Sequence, residues 1–210
     1  MKITAILVFL FSLFMLTSCE GIFVKQGDDV AISDETEVQS ATATQTMDLR
    51  AVADTVMAAL AQKDLKEVAN FVHPKMGVRF SPYAFVREDH QVFKREALPE
   101  LMASPEIYTW GNFDGSGEPI EMTFSEYYER FVYSADFLHA EVVAVNERIG
   151  QGNSIDNIHE FYPGSSFVEY HFSGFDPQYE GMDWQSLRLV FLQEDGIWYL
   201  VGIVHDEWTI

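Results

Sequence analysis

Apolar residues after position 46 recur every three or four residues, which is the spacing of one face of an α-helix. The recurring positions are Leu49, Val52, Ala53, Val56, Met57 and Leu60. They predict an amphipathic helix over residues 47–63. Asp64 and Glu67 have the spacing of a capping box and predict the start of a second helix, which Pro74 ends.

The last third of the chain alternates apolar and polar residues as β-strands do. Residues 167–173 form one such run, and residues 186–193 and 197–205 form two more, joined by Asp195 and Gly196 in a pair typical of a tight hairpin turn. The last run is apolar on both faces, so we expect other elements to cover it on both sides.

The middle of the chain predicts shorter elements, with less regular patterns. They are a strand at 77–80, a helix at 95–102, an aromatic strand at 107–113 and a helix at 123–131. Thr123 and Glu126 form a second capping box at the start of the last of these. Helices followed by a long antiparallel sheet indicate an α+β fold.

This order of elements resembles the NTF2-like superfamily of cone-shaped α+β domains. The resemblance implies N-terminal helices packed on a curved antiparallel sheet around a cavity, over residues 47–210. Three segments also resemble parts of bacterial lipoproteins: HPKMGVRFSPY from His73, GMDWQSLRLVF from Gly181 and WYLVGIVHDEWT from Trp198. The resemblance to lipoprotein segments brings no known catalytic residues with it, and the match of element order supports a fold and not an activity.

The first residues predict a leader that is removed. Lys2 precedes an apolar run over residues 3–16, which is shorter than the roughly 20 residues of a permanent membrane helix. Residues 16–19, Leu-Thr-Ser-Cys, resemble the lipobox of bacterial lipoproteins, in which the cysteine is acylated after cleavage just before it. We therefore predict a signal peptide at 1–18 and lipidation at Cys19, which implies a lipid-anchored protein of the bacterial cell envelope, outside the cytoplasm.

The composition constrains the partners. The chain has 33 acidic and 13 basic residues and a net charge of −20, and the mostly polar residues 19–46 contain six acidic residues against Lys25 alone. This segment predicts a flexible acidic tether. The charge excludes nucleic acid as a partner, since that requires a basic surface, and it predicts repulsion from anionic lipid. With 48% apolar residues and a single cysteine, the domain depends on its core for stability.

One glycine-rich segment, NFDGSGEPIEMT, has the oxygen-bearing residues Asn112, Asp114 and Ser116 at the first, third and fifth positions of a calcium loop, and Gly117 at the sixth. Thr123 occupies the twelfth position, where such loops carry a bidentate glutamate. The alternative is a hairpin turn that binds no metal.

Glu169 and His171 lie two residues apart, hence on one face of a predicted strand, and Arg188 lies on a neighbouring strand. Inside a cavity, a charged group beside an imidazole would shift its proton affinity and make a general base. This is the arrangement that the NTF2-like resemblance implies for isomerases and dehydratases. The alternative is that this face meets solvent, where such residues are ordinary.

Two classes of function follow. The first is a binding module whose apolar cavity or sheet face receives a small apolar ligand, a second copy of the chain or another envelope protein. The second is an isomerase- or dehydratase-type enzyme. The sequence predicts no cofactor for either class. Burial of His171 and Arg188 in a closed pocket beside a carboxylate would favour the enzyme, and exposure of both to water would exclude it.

Replacing the cysteine tests the predicted anchor. We expect Cys19→Ser to move the protein from the membrane fraction to the aqueous phase, because each buried methylene of an acyl chain contributes roughly 0.8 kcal/mol to membrane binding. Partitioning into detergent measures the effect. Equal partitioning of the variant and the parent would refute lipidation.

Overall fold

The computed structural model describes residues 48–209. The predicted signal peptide (1–18), the tether (19–46) and Cys19 lie outside these residues. Within residues 48–209, no helix combines the length and the apolar composition needed to cross a membrane.

The structure is α+β, as predicted, and its helices precede most of a curved sheet. The α-helices are α1 (Leu49–Ala61), α2 (Leu65–Phe71), α3 (Phe124–Tyr127) and α4 (Ile158–Phe161). A π-helical turn (Tyr128–Val132) extends α3, and short 3₁₀ helices occupy Leu98–Ala103, Phe137–His139 and Pro177–Tyr179. The strands are β1 (Val78–Ser81), β2 (Val92–Phe93), β3 (Ile107–Asn112), β4 (Pro119–Thr123), β5 (Val142–Val145), β6 (Ser166–Phe172), β7 (Gln185–Glu194) and β8 (Ile197–Glu207).

The helix ends follow the local sequence signals. The Asp64 carboxylate accepts a hydrogen bond from the Glu67 N–H at 3.0 Å and caps α2. Only this half of the predicted capping box forms, because the Asp64 N–H donates to the Ala59 carbonyl at 2.9 Å and not to the Glu67 side chain. Thr123 and Glu126 form the predicted capping box at the start of α3. The helix predicted at 95–102 is instead a 3₁₀ helix. Pro99 lies in its first turn, and Pro105 requires the preceding residue to be extended, which leaves too few residues for a stable α-helix.

Six strands form one sheet in the order β2-β1-β8-β7-β6-β5, and β3 and β4 form a separate hairpin. Asp195 and Gly196 join β7 to β8 with φ angles of 51° and 79°, the left-handed pair that a two-residue hairpin turn requires. The sheet departs from the expected antiparallel pairing at one place, because β1 runs parallel to β8. Parallel neighbours need a long connection, and here most of the domain lies between them.

Both faces of β8 are covered, as its double apolar pattern predicted. Leu200 and Ile203 belong to the main hydrophobic core with α1 and α2. Val201 and Val204 belong to a smaller cluster with Ile158 at the start of α4, on the other face of the sheet. We call these the helix face and the back face of the sheet.

Aromatic rings fill much of the space between the helices and the sheet. Trp110 of β3 is fully buried and stacks on Tyr127 with ring centroids 3.8 Å apart. Its indole Nε1 donates to the carbonyl of Met122 at 3.0 Å, so the polar atom of this buried side chain is satisfied. Phe80 and Phe124 pack around the same indole at 6.2 and 5.9 Å. The β3–β4 hairpin is thereby fixed to the helix face.

Two tryptophans allow a comparison of core positions. We expect Trp110→Ala to lower the free energy of unfolding by about 3–5 kcal/mol, because it removes a fully buried ring and leaves a cavity. Trp198 lies at the start of β8, which was expected to be covered on both faces. Its side chain is only half-buried, at the margin of the main cluster. Trp198→Ala should therefore cost less in a urea titration, and an equal or larger cost would contradict this packing.

Candidate functional site

A buried carboxylate lies at the centre of the back face. Glu169 of β6 accepts hydrogen bonds from Arg188 Nε at 2.8 Å and from Ser186 Oγ at 2.6 Å, both on β7. The backbone N–H groups of Ile149 and Gly150 donate to the same carboxylate at 3.1 and 2.8 Å. Direct cross-strand pairing of Glu169 with Arg188 sets this geometry.

The guanidinium of Arg188 continues the network to the next strand. Its Nη2 donates to Asp206 Oδ2 of β8 at 2.9 Å and to the Gly150 carbonyl at 3.2 Å. Arg148 approaches the same Asp206 oxygen at 3.4 Å. Glu169, Arg188 and Asp206 are all completely buried, so each charge depends on its neighbours for stabilisation.

His171 extends the network by one more hydrogen bond. Its Nδ1 lies 2.8 Å from Ser186 Oγ. The serine hydroxyl has one proton and donates it to Glu169, so it accepts from the Nδ1–H of His171. The result is a His171–Ser186–Glu169 chain with a defined tautomer.

Residues 146–157 form a loop that closes over this network. The backbone at Gly150 lies so near the sheet that a Cβ atom there would fall 2.5 Å from Ser186 Oγ and 2.5 Å from the ring of Trp184. Glycine is therefore required at this approach. Arg148 holds the loop from within by donating to the carbonyls of Gly150 and Ser154 at 2.9 and 3.1 Å.

Burial and ion pairing act in opposite directions on these groups. Burial acts to raise the pKa of Glu169, but the charge and hydrogen bonds of Arg188 and Ser186 bring that pKa below its usual value. Burial raises the pKa of Asp206 despite its contact with Arg188. Burial also lowers the pKa of His171, which favours the neutral imidazole.

The structure therefore brings the three predicted catalytic candidates Glu169, His171 and Arg188 together, and it does so away from solvent. They lie on the back face beneath the 146–157 loop, whereas the main core packs on the helix face. Glu169 and Arg188 bond to each other and to the backbone of this loop, and His171 is linked to Glu169 through Ser186. Their catalytic role stays a hypothesis.

A cleft of about 670 Å³ opens beside the same loop. Three segments line it: residues 82–90, the β3–β4 turn at 112–117, and residues 153–155 of the covering loop. Its aromatic side chains are Tyr83, Phe85 and Phe113. We call this the cleft, and it has the size and mixed polarity of a small-molecule site.

His90 is the most buried polar side chain that lines the cleft, at 5% exposure. Its Nδ1 lies 2.9 Å from Ser81 Oγ and accepts from the Arg87 N–H at 3.3 Å. Because Nδ1 is an acceptor, the ring proton lies on Nε2. Burial lowers the pKa of His90 to about 4, so the ring is neutral at pH 7 and offers a hydrogen-bond donor rather than a charge.

The calcium candidates lie at the tip of the β3–β4 hairpin, and Asn112 and Asp114 line the cleft. The Asn112 amide donates to the carbonyl of Gly117 at 2.9 Å, and Ser116 Oγ accepts from the Glu118 N–H at 3.2 Å. These are contacts of a hairpin turn. Within residues 48–209, no three His, Cys, Asp or Glu side chains come together as a metal site would require.

The residues of the cleft carry no common pattern in the sequence. His90 lies in a short irregular segment with no periodic pattern, and residues 153–155 lie in a loop between elements. The only available signals were the glycine-rich turn at 112–117 and the clustering of Tyr83 and Phe85. None of these shows that three distant segments converge.

Comparisons with known proteins add little. The chain matches no family model, and it matches no curated protein sequence. It is similar in fold to several solved structures, three of which follow. A protein from Xanthomonas campestris described as a calcium/calmodulin dependent protein kinase II association domain shares 16% identity over 75% of this chain and 84% of its own, with a TM-score of 0.32.

The other two solved structures are a substituted variant of a protein named Rd1NTF2_05 and a DUF4783 family protein from Bacteroides ovatus. Each shares 10% identity over 74% of this chain and 94% of its own, with a TM-score of 0.28. Scores of this size are too low to support an inference about function.

The buried network predicts a large difference between two arginines. We expect Arg188→Met to lower the free energy of unfolding by about 3–5 kcal/mol, because it leaves the buried Glu169 carboxylate without its cation and leaves Asp206 with only the more distant Arg148. Urea denaturation measures the loss, and amide hydrogen exchange over residues 146–157 should increase.

Arg50→Met is the matched control. The Arg50–Asp54 pair has side-chain exposures of 40% and 47%, so its loss should cost less than about 1 kcal/mol. Equal costs for the two variants would show that the network does not hold the back face together.

Proposed function

We propose that this protein is a lipid-anchored module of the bacterial cell envelope, with an NTF2-like domain that binds a small ring-bearing molecule in the cleft. The observation that carries the binding proposal is the convergence of three segments on a cavity of about 670 Å³ with aromatic and polar walls. Acylation of Cys19 and the acidic segment 19–46 would place the domain at a distance from the membrane surface.

The chemistry of the cleft walls supports a ring-bearing ligand. Tyr83, Phe85 and Phe113 offer ring faces and edges for stacking, and such contacts contribute about 0.5–1.5 kcal/mol beyond burial. Asn112 and His90 add polar groups that can fix the orientation of a ligand. Phe85 is 48% exposed, so part of its apolar surface is available to an occupant.

An enzyme of the isomerase or dehydratase type has less support. His171 and Arg188 are buried beside the Glu169 carboxylate, but neither side chain lines the cleft. Glu169, Arg188 and Asp206 are completely buried and form ion pairs with one another, so a substrate could reach them only by displacing the 146–157 loop. The general base required by that chemistry would have to be close to the reacting atom. The binding module needs no such rearrangement.

Titration with a neutral ring compound tests the binding site. We expect benzyl alcohol, added to the full chain and followed by two-dimensional NMR, to shift backbone amide signals in residues 82–90, 112–117 and 153–155. Phe85→Ala should weaken this binding at least threefold, because the variant loses a ring of the cleft wall.

Phe175→Ala provides a matched control, since Phe175 is 50% exposed and lies outside the cleft. This variant should bind benzyl alcohol as the parent does. Absence of binding, or signal shifts confined to residues outside the three segments, would overturn the proposed site.

A further inference from the structure

The charges that line the cleft determine which ligands it admits. Four titratable side chains belong to its lining: Tyr83, Arg87, His90 and Asp114. The net charge that an occupant meets depends on how many of these are ionised and how many are already paired.

The one arginine of the cleft is already paired. Arg87 donates from Nε and Nη2 to the two carboxylate oxygens of Asp89 at 2.9 and 2.8 Å, in a bidentate arrangement. An anionic ligand would have to compete with Asp89 for this guanidinium. Arg87 therefore gives the cleft little positive charge.

Neither His90 nor Tyr83 carries charge at pH 7. Burial lowers the pKa of His90 to about 4, and Ser81 and the Arg87 N–H occupy its Nδ1. Burial also raises the pKa of Tyr83, so its hydroxyl stays protonated. Both side chains act on a ligand as neutral hydrogen-bonding groups.

Asp114 is the remaining charged group. Among residues 48–209, no arginine, lysine or histidine lies within ion-pair distance of its carboxylate. Among the residues that line the cleft, Asp114 therefore carries the one uncompensated charge that an occupant would meet. Phe113, the adjacent residue in the chain, adds an aromatic ring to the lining. A carboxylate next to aromatic rings favours an organic cation through charge attraction and cation–π contact.

We propose that the cleft selects ring-bearing molecules that carry a positively charged amine, with the amine at Asp114 and the ring against Tyr83, Phe85 and Phe113. This inference rests on the proposed function, since it names the ligand class of the same site. The net charge of −20 acts in the same direction, because it raises the local concentration of cations and repels anions.

Three compounds that share a benzyl or phenyl ring and differ in charge test the inference: benzylamine, benzyl alcohol and benzoate. NMR titrations of the full chain at pH 7 and low salt give the three dissociation constants. We expect benzylamine to bind roughly three- to fivefold more tightly than benzyl alcohol, as one partly exposed charge pair and a cation–π contact allow. Benzoate should bind more weakly than either, and added salt should reduce the preference for benzylamine.

Asp114→Asn removes the negative charge of this side chain and keeps its shape, so it tests the role of the charge alone. This variant should lose the preference for benzylamine over benzyl alcohol, which the ratio of the two dissociation constants measures within the variant itself. Glu118→Gln, on the same hairpin but outside the cleft lining, removes an equal charge and should keep most of that preference.

The outcomes distinguish the two proposals. If none of the three compounds binds in the cleft, the proposed binding site fails. If benzyl alcohol binds there but benzylamine binds no more tightly, or if Asp114→Asn keeps the preference, the site stands and the charge selection is wrong.

Discussion

The back face depends on the ion pairs and hydrogen bonds of the buried Arg188 guanidinium. This guanidinium joins β6 through Glu169, β8 through Asp206 and the 146–157 loop through the Gly150 carbonyl. A buried ion pair adds little net stability compared with apolar packing, but an unpaired buried charge costs several kcal/mol. The network therefore disfavours any strand register or loop position that separates these partners. Its contribution is to conformational specificity.

The same network also determines the position of a loop that lines the cleft at the surface. Glu169 and Arg188 bind the backbone of the 146–157 loop at Gly150. The same loop contributes residues 153–155 to the lining of the cleft. A second lining segment comes from the β3–β4 turn, whose hairpin is fixed by Trp110 in the main core. Both segments are loop residues positioned by rigid elements, which is how binding sites are commonly built. The ionic network and the aromatic core thus have separate roles in shaping one cleft.

Much of the fold was accessible from the sequence because its signals are local. The apolar stripe of α1, the capping pairs at Asp64 and Thr123 and the Asp195–Gly196 turn each depend on residues a few positions apart. The double apolar pattern of β8 also indicated cover on both faces. Local sequence patterns did not predict β5, α4 or the parallel pairing of β1 with β8. Those elements are short, and their partners are distant in sequence.

The candidate site also combines features that follow from local sequence with features that depend on distant contacts. Glu169 and His171 were predictable as neighbours on one face of a strand, because side chains alternate along every strand. The closure of this face from solvent was not predictable, since its cover comes from a loop with no periodic pattern. The same holds for the convergence of His90 and Asp114 on one cleft, which depends on how distant segments pack. Local spacing fixes which side chains point the same way, whereas burial and convergence depend on contacts between segments far apart in the chain.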